Sequence, residues 1–141
     1  MNAITIHLSI ISPSQIILLK DATLFSGTFA LVIFFKTKKE LKHGDEINEA
    51  EYTLKVIHTP GHASNHLCFL LEEEKLIFTG DHIMDGSTVV IAPPDGNMKQ
   101  YIDSLELLKE IDLKFIAPGH GNVLENPHSV VDWIVGHRMY R

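Results

Sequence analysis

A single cysteine, Cys68, leaves this chain without any internal disulfide, and so without the covalent staples of small secreted scaffolds. A reducing compartment is the expectation: the cytoplasm, or the mitochondrial matrix if the source is eukaryotic. Cys68 lies in the apolar run Leu67 to Leu71, a setting for an inert buried thiol and not for the electropositive surroundings that activate one. A basic excess is also lacking. Twelve Lys and Arg stand against 18 Asp and Glu, a formal net charge of -6, which argues against a broad electrostatic footprint for nucleic acid. The local cluster Lys36, Lys38, Lys39 and Lys42 could touch phosphates, although a solvated loop explains it as well. No apolar stretch reaches the roughly 20 residues of a membrane span. The longest candidate, Ala22 to Phe35, carries Thr, Ser and Gly and reads as buried strand, so no membrane association is expected. The start lacks a basic segment, and Asn2, His7, Ser9 and Ser12 interrupt its apolar pattern, so no secretory signal is expected.

What is present suits a packed core. Apolar residues make up 45% of the chain and charged ones 21%, the balance of a globular unit of one domain at most. Two kinds of material follow one another. Residues 1–40 form an atypical apolar segment, with the continuous run Phe29 to Phe35 fitting a strand buried on both faces. From residue 41 to residue 141 the pattern is orderly. His43-Gly44-Asp45-Glu46 marks a turn, Thr53 to Ile57 and Leu67 to Leu71 read as strands, and the charged turn Glu72 to Lys75 joins the second to Lys75 through Thr79. Tyr101, Ile102, Leu105, Leu108 and Ile111 recur at helical spacing and predict a helix from Met98 to Ile111. Phe115 to Ala117 is a short strand. Asn126 with Pro127 predicts an N-cap and a C-terminal helix through Trp133 to about His137. The fold class is α/β in the α+β sense.

Three blocks carry the chemistry: Thr59-Pro60-Gly61-His62, Thr79-Gly80-Asp81-His82 and Ala117-Pro118-Gly119-His120-Gly121. Each follows an apolar run, which places His62, Asp81 and His120 where buried strands end and open into loops. Rigid strand ends can aim three ligands at one point. The glycines allow a sharp turn or a close approach, and the prolines stiffen it. Imidazole nitrogen with carboxylate oxygen suits zinc first, and manganese or iron less specifically. His58 and His66, four residues either side of His62, are candidate partners that orient a ligand, or loop histidines bonded to backbone. His82 should point away from Asp81 if strand alternation persists, which leaves it a weaker candidate for such an orienting partner. His43, His128 and His137 are expected at the surface. Ser87, Thr88 and the turn Pro93-Pro94-Asp95-Gly96 could line a cleft mouth or serve as a turn alone.

The order and neighbours of these blocks resemble the later metal-ligand motifs of the metallo-β-lactamase fold superfamily. Gly86-Ser87-Thr88-Val89-Val90-Ile91-Ala92-Pro93-Pro94-Asp95-Gly96, followed by Tyr101-Ile102-Asp103-Ser104-Leu105, is similar to the branch of lactamase-β-like 2 endoribonucleases. The resemblance runs from about Leu41 to the C-terminus. It implies part of an αββα sandwich, mainly its second half, in which His62 ligates a first metal, His120 a second, and Asp81 bridges both and is the catalytic candidate. The family's first motif, HxHxDH, is absent. Ile4 to Ser14 has the flavour of the corresponding segment, but only His7 survives there. With each metal position keeping two of these ligands, reduced or weak zinc binding is expected.

Two readings of function follow. In one, the chain is a zinc-dependent hydrolase, acting on single-stranded RNA by the resemblance, or on a thioester or other small ester. In the other it is a non-catalytic remnant or scaffold, as the missing motif suggests. A sheet with helices on one face must cover the other. Leu54, Val56, Leu67, Phe69, Leu71, Ile77 and Phe115 are the candidates for that second face, with self-association, or cover by Phe29 to Phe35, as the expected consequence.

Overall fold

The computed structural model describes residues 41–48, 50 and 52–140. The expectations for residues 1–40, including Phe29 to Phe35 as cover and His7 as a relic ligand, lie outside the described residues. Among the described residues six strands form one sheet: β1 (Glu46–Asn48), β2 (Thr53–His58), β3 (Leu67–Leu71), β4 (Leu76–Gly80), β5 (Phe115–Pro118) and β6 (Leu124–Glu125). Their order in the sheet is their order in the chain. All neighbours are antiparallel except β4 and β5, which run parallel. That parallel step needs a crossover, and helix α1 (Met98–Lys109) supplies it; α2 (Pro127–Met139) follows β6.

β3 through β5 are largely apolar on both faces, β2 carries Thr53 and Lys55 on the face of Ile57, and the two-residue period sorts them. Ile57, Cys68, Leu70, Ile77 and Ile116 face α1 and α2, where Tyr101, Leu105, Leu108, Val131 and Ile134 complete one core. Leu54, Val56, Phe69, Leu71, Leu76, Phe78 and Ala117 form the second face, with Leu67 and Phe115 beside them. Ile77 is thus a correction: flanked by Leu76 and Phe78 on the second face, it points to the helices. On this second face Val56 is 0% exposed and Leu71 2%, although the helices of the described residues pack on the other side.

α1 starts at Asn97, whose side chain accepts a hydrogen bond from the Gln100 amide at 3.0 Å, satisfying one of the free amides of the first turn. It ends at Lys109, two residues short of the predicted Ile111. The amides of Glu110 and Ile111 bond to Leu107 and Leu108, three residues back, which tightens the last turn out of α geometry. Asn126 precedes α2 as expected but does not cap it: its backbone is left-handed, with φ 53, and its side chain makes no capping bond. A side-chain N-cap needs extended backbone, and here the turn out of β6 takes that freedom away. Pro127 does occupy the start of the helix.

Candidate metal site

Asp81 directly follows β4, His120 lies just past β5, and His62 sits in the loop that follows β2. At the end of β4 the register against β5 shifts between Phe78 and Gly80, and the chain leaves the sheet with Asp81 in the open. Gly119 continues β5 against it, its amide donating to the Gly80 carbonyl at 2.8 Å. A Cβ on Gly119 would stand 3.1 Å from the Gly80 carbonyl and 3.3 Å from Asp81 Oδ1, so the glycine is what lets the two loops close on each other. The result is a pair: His120 Nε2 lies 3.5 Å from Asp81 Oδ1, with both side chains more than half exposed.

His62 is held differently. Its Nδ1 lies 2.8 Å from the Val90 carbonyl. A carbonyl only accepts, so Nδ1 carries a proton, and in the neutral ring this leaves the lone pair on Nε2, the form in which a histidine ligates. Among the described residues no three His, Cys, Asp or Glu side chains converge closely enough to hold an ion. The donor types therefore fit a metal, with Asp81 and His120 together and His62 free at Nε2, while closure of a three-donor site is not reached among the described residues.

Asp85 ties the two loops from below. Its Oδ2 accepts from the Asn122 amide at 3.1 Å and from the Asn122 side chain at 3.0 Å. Asp85→Ala should cost about 1 to 2 kcal/mol and broaden the NMR signals of Gly119 to Asn122. Unchanged stability and unchanged amide shifts in that loop would count against this tie.

The remaining histidines divide by burial. His58 bonds through Nε2 to the Ser64 carbonyl at 2.9 Å, and its amide donates to His43 Nδ1 at 3.2 Å, so it stabilises the loop as a backbone-bonded residue. His66 Nδ1 pairs with Thr59 Oγ1 at 2.9 Å, and the same hydroxyl lies 3.2 Å from Cys68 Sγ. Burial, then the neighbouring His62, lower the His66 pKa to about 4 against a pull upward from Asp81. His82 is fully buried, its ring 5.4 Å from that of His66 and 4.9 Å from that of Tyr101. Neither ring nitrogen has a hydrogen-bond partner among the described residues. Burial first, then His66 and His62, lower its pKa to about 3. Burial likewise pushes the Cys68 thiol up to about 12, far from a reactive thiolate. His137 is half-buried against Trp133, ring centroids 5.5 Å apart, a correction to its expected surface position; the helical spacing i, i+4 brings the two rings together.

Three features were missed from sequence: the Val90 carbonyl on His62, the Asp85 tie, and Arg138, which donates through Nη2 to the Val89 carbonyl. Of these only Asp85 bore any signal, as a carboxylate near a ligand. The Pro93-Pro94-Asp95 turn is exposed, and Asp95 accepts from the Ser64 amide at 3.1 Å. Bonding from Ser64 holds that carboxyl below its ordinary value.

The description of the metallo-beta-lactamase superfamily matches residues 10–120. The chain belongs to this superfamily. Its match begins well inside the segment 1–40 and takes in all three ligand candidates. Among curated relatives, the Beta-lactamase-like protein 2 homolog of Caenorhabditis elegans is 37% identical over 98 residues, 70% of this chain and 32% of that protein. The Atrochrysone carboxyl ACP thioesterase of Aspergillus fumigatus is 34% identical over 89 residues, 63% and 27% of the two chains. The chain thus spans about a third of the length of the curated relatives it matches. Among solved structures, a metallo-beta-lactamase family protein of Thermus thermophilus shares the fold at TM-score 0.68 and 24% identity, over 77% of this chain and 38% of that one. TTHA1623 in a di-iron-bound form is similar at TM-score 0.52 and 26% identity, over 80% and 57%. As a member of the superfamily the chain is mixed α/β, the sheet and two helices of its described residues corresponding to part of the fold of these larger proteins. Among the described residues no helix is long and apolar enough to cross a membrane.

Proposed function

We propose that this chain carries the later metal-ligand half of a metal-dependent hydrolase, with His62, Asp81 and His120 as ligands and a thioester as substrate class. The observation that carries the reading is the approach of His120 Nε2 to Asp81 Oδ1 at 3.5 Å, at the ends of two parallel strands. When bound, zinc supplies a Lewis acid and a hydroxide at neutral pH; iron is the alternative suggested by TTHA1623. The protein's part is positional. Asp81 and His120 would hold an ion between the β4 and β5 loops, and the Val90 carbonyl would keep Nε2 of His62 available as a ligand. Exposure of the Asp81–His120 pair leaves room for a carbonyl substrate. The thioester is supported by the thioesterase among the relatives and by a net charge of -6, which repels a polyanion. The endoribonuclease reading, acting on single-stranded RNA, rests on the resemblance of Gly86 to Gly96 and Tyr101 to Leu105 alone.

Metal analysis after dialysis should find clearly less than two zinc ions per chain, weakly held. Asp81→Ala should lower zinc affinity at least ~100-fold, since a lost ligand outweighs the 10- to 100-fold cost of a lost supporting contact, and by more than His62→Ala or His120→Ala. Titration calorimetry in which the Asp81 variant binds like the parent rejects the assignment. With zinc added, release of thiol from an acyl-cysteamine thioester, absent in Asp81→Ala, supports the thioester. Cleavage of a single-stranded oligoribonucleotide instead supports RNA, and neither activity supports a non-catalytic scaffold.

A further inference from the structure

We infer that Arg138 is a positioning residue for His62, selecting its tautomer through the Val89–Val90 backbone. Two consecutive carbonyls are held by side chains from different elements. Val89 O accepts from Arg138 Nη2, on α2, and Val90 O faces His62 Nδ1 at 2.8 Å. Val90 cannot hold its own carbonyl in place, because its side chain is 72% exposed and packs on little. Val89 is buried, which anchors the side chain but leaves the rotation of its peptide to whatever bonds the carbonyl. Arg138 is the group that does so.

The far end of the same loop is tied independently: Asp95 accepts from the Ser64 amide at 3.1 Å, and the Asn97 amide donates to the Gly61 carbonyl at 2.8 Å. Residues 89–97 are therefore stretched between α2 and the turn that bears His62, with Arg138 as the α2 end. The arginine is itself well fixed. Its guanidinium carbon lies 5.9 Å from the centroid of the Tyr101 ring, within cation–π range. Its length and planar fork let one nitrogen reach the carbonyl while the cation stays on the ring.

Losing Arg138 frees the Val89–Val90 peptides to turn. His62 Nδ1 then loses its fixed acceptor, and the imidazole exchanges between tautomers. The metal consequence rests on His62 being a ligand, as proposed above, whereas the tautomer effect does not. The test is long-range proton–nitrogen NMR of the metal-free full chain at mildly alkaline pH, paired with zinc affinity by chelator competition. The parent should show His62 with its proton on Nδ1. Arg138→Met should show both tautomers and shifted Val89 to Ile91 amides, with roughly 10-fold weaker zinc binding. Arg138→Lys, which keeps a donor but lacks the fork that serves carbonyl and ring together, should recover only part of the parental signature. If Arg138→Met does not fold, Arg138→Gln should show the same change to a smaller degree. A parental His62 tautomer and unchanged loop amides in a folded Met or Gln variant overturn the inference. A changed tautomer in Arg138→Met, alongside parental zinc affinity in His62→Ala, upholds the positioning role and instead removes His62 from the ligand set.

Discussion

Gly61→Ala is expected to destabilise the chain by about 3 to 5 kcal/mol, a large part of the roughly 5 to 15 kcal/mol that separates a folded domain from its unfolded chain. A methyl group on Gly61 would stand 2.3 Å from Tyr101 Cα and 2.5 Å from Tyr101 N and Cβ. Neither side can yield cheaply. Tyr101 is fully buried on α1, its hydroxyl donates to the His82 carbonyl at 2.9 Å, and the neighbouring Ser104 Oγ holds the Pro60 carbonyl at 2.7 Å. Gly61 also has φ +141, where an L side chain is strained even in open space. Overpacking of ~1 to 3 kcal/mol and backbone strain of similar size add. Urea unfolding should show the lower midpoint at unchanged slope, and the turn carrying His62 should be displaced whenever the variant is kept folded. A loss below about 1 kcal/mol would mean that α1 moves aside freely, against the packing described.

The same glycine shows how far the sequence could be followed. Its need for close approach is legible in Thr59-Pro60-Gly61-His62, but what approaches is a helix backbone forty residues on, and not a ligand. β2 and β3 could be placed within a residue because apolar runs stop at a histidine loop and at Glu72. β1 and β6, of three and two residues, are shorter than any period that could reveal them. Ile77 was assigned to the wrong face for a related reason. In a strand apolar on both sides no polar residue marks the outward positions, so only the pairing register decides. The ligand candidates were visible because Asp and two His at strand ends are unusual in type. The Val90 carbonyl was not, since every residue carries one, and Arg138 meets Val89 across 49 positions with no local pattern to announce it.

The stability of the metal-free chain should fall steeply on acidification below about pH 6.5, through His66 and His82. In the unfolded chain both rings titrate near the ordinary histidine value of about 6.5. In the folded chain burial and neighbouring histidines hold His66 neutral down to about 4 and His82 down to about 3. Between those values the unfolded state binds protons that the folded state refuses, so stability rises with pH across the window. It is fully present above about 6.5 and is lost as pH falls toward 4 and then 3. For His66 alone the interval of about 2.5 pH units corresponds to roughly 3 kcal/mol, and partial exposure or local opening would reduce this. His82 provides the diagnostic substitution. Neither of its ring nitrogens has a partner among the described residues, so His82→Leu breaks no hydrogen bond, keeps an apolar group against Tyr101, and should be near neutral or stabilising at neutral pH. Removing it should also remove about one proton from the slope of stability against pH. Urea midpoints measured from neutral pH to about 4.5, with chelator present, would decide this. A parent whose stability is flat over the interval, or a Leu variant that falls in parallel with it, would show that His82 takes up a proton without unfolding, which the sealed packing between His66 and Tyr101 should forbid.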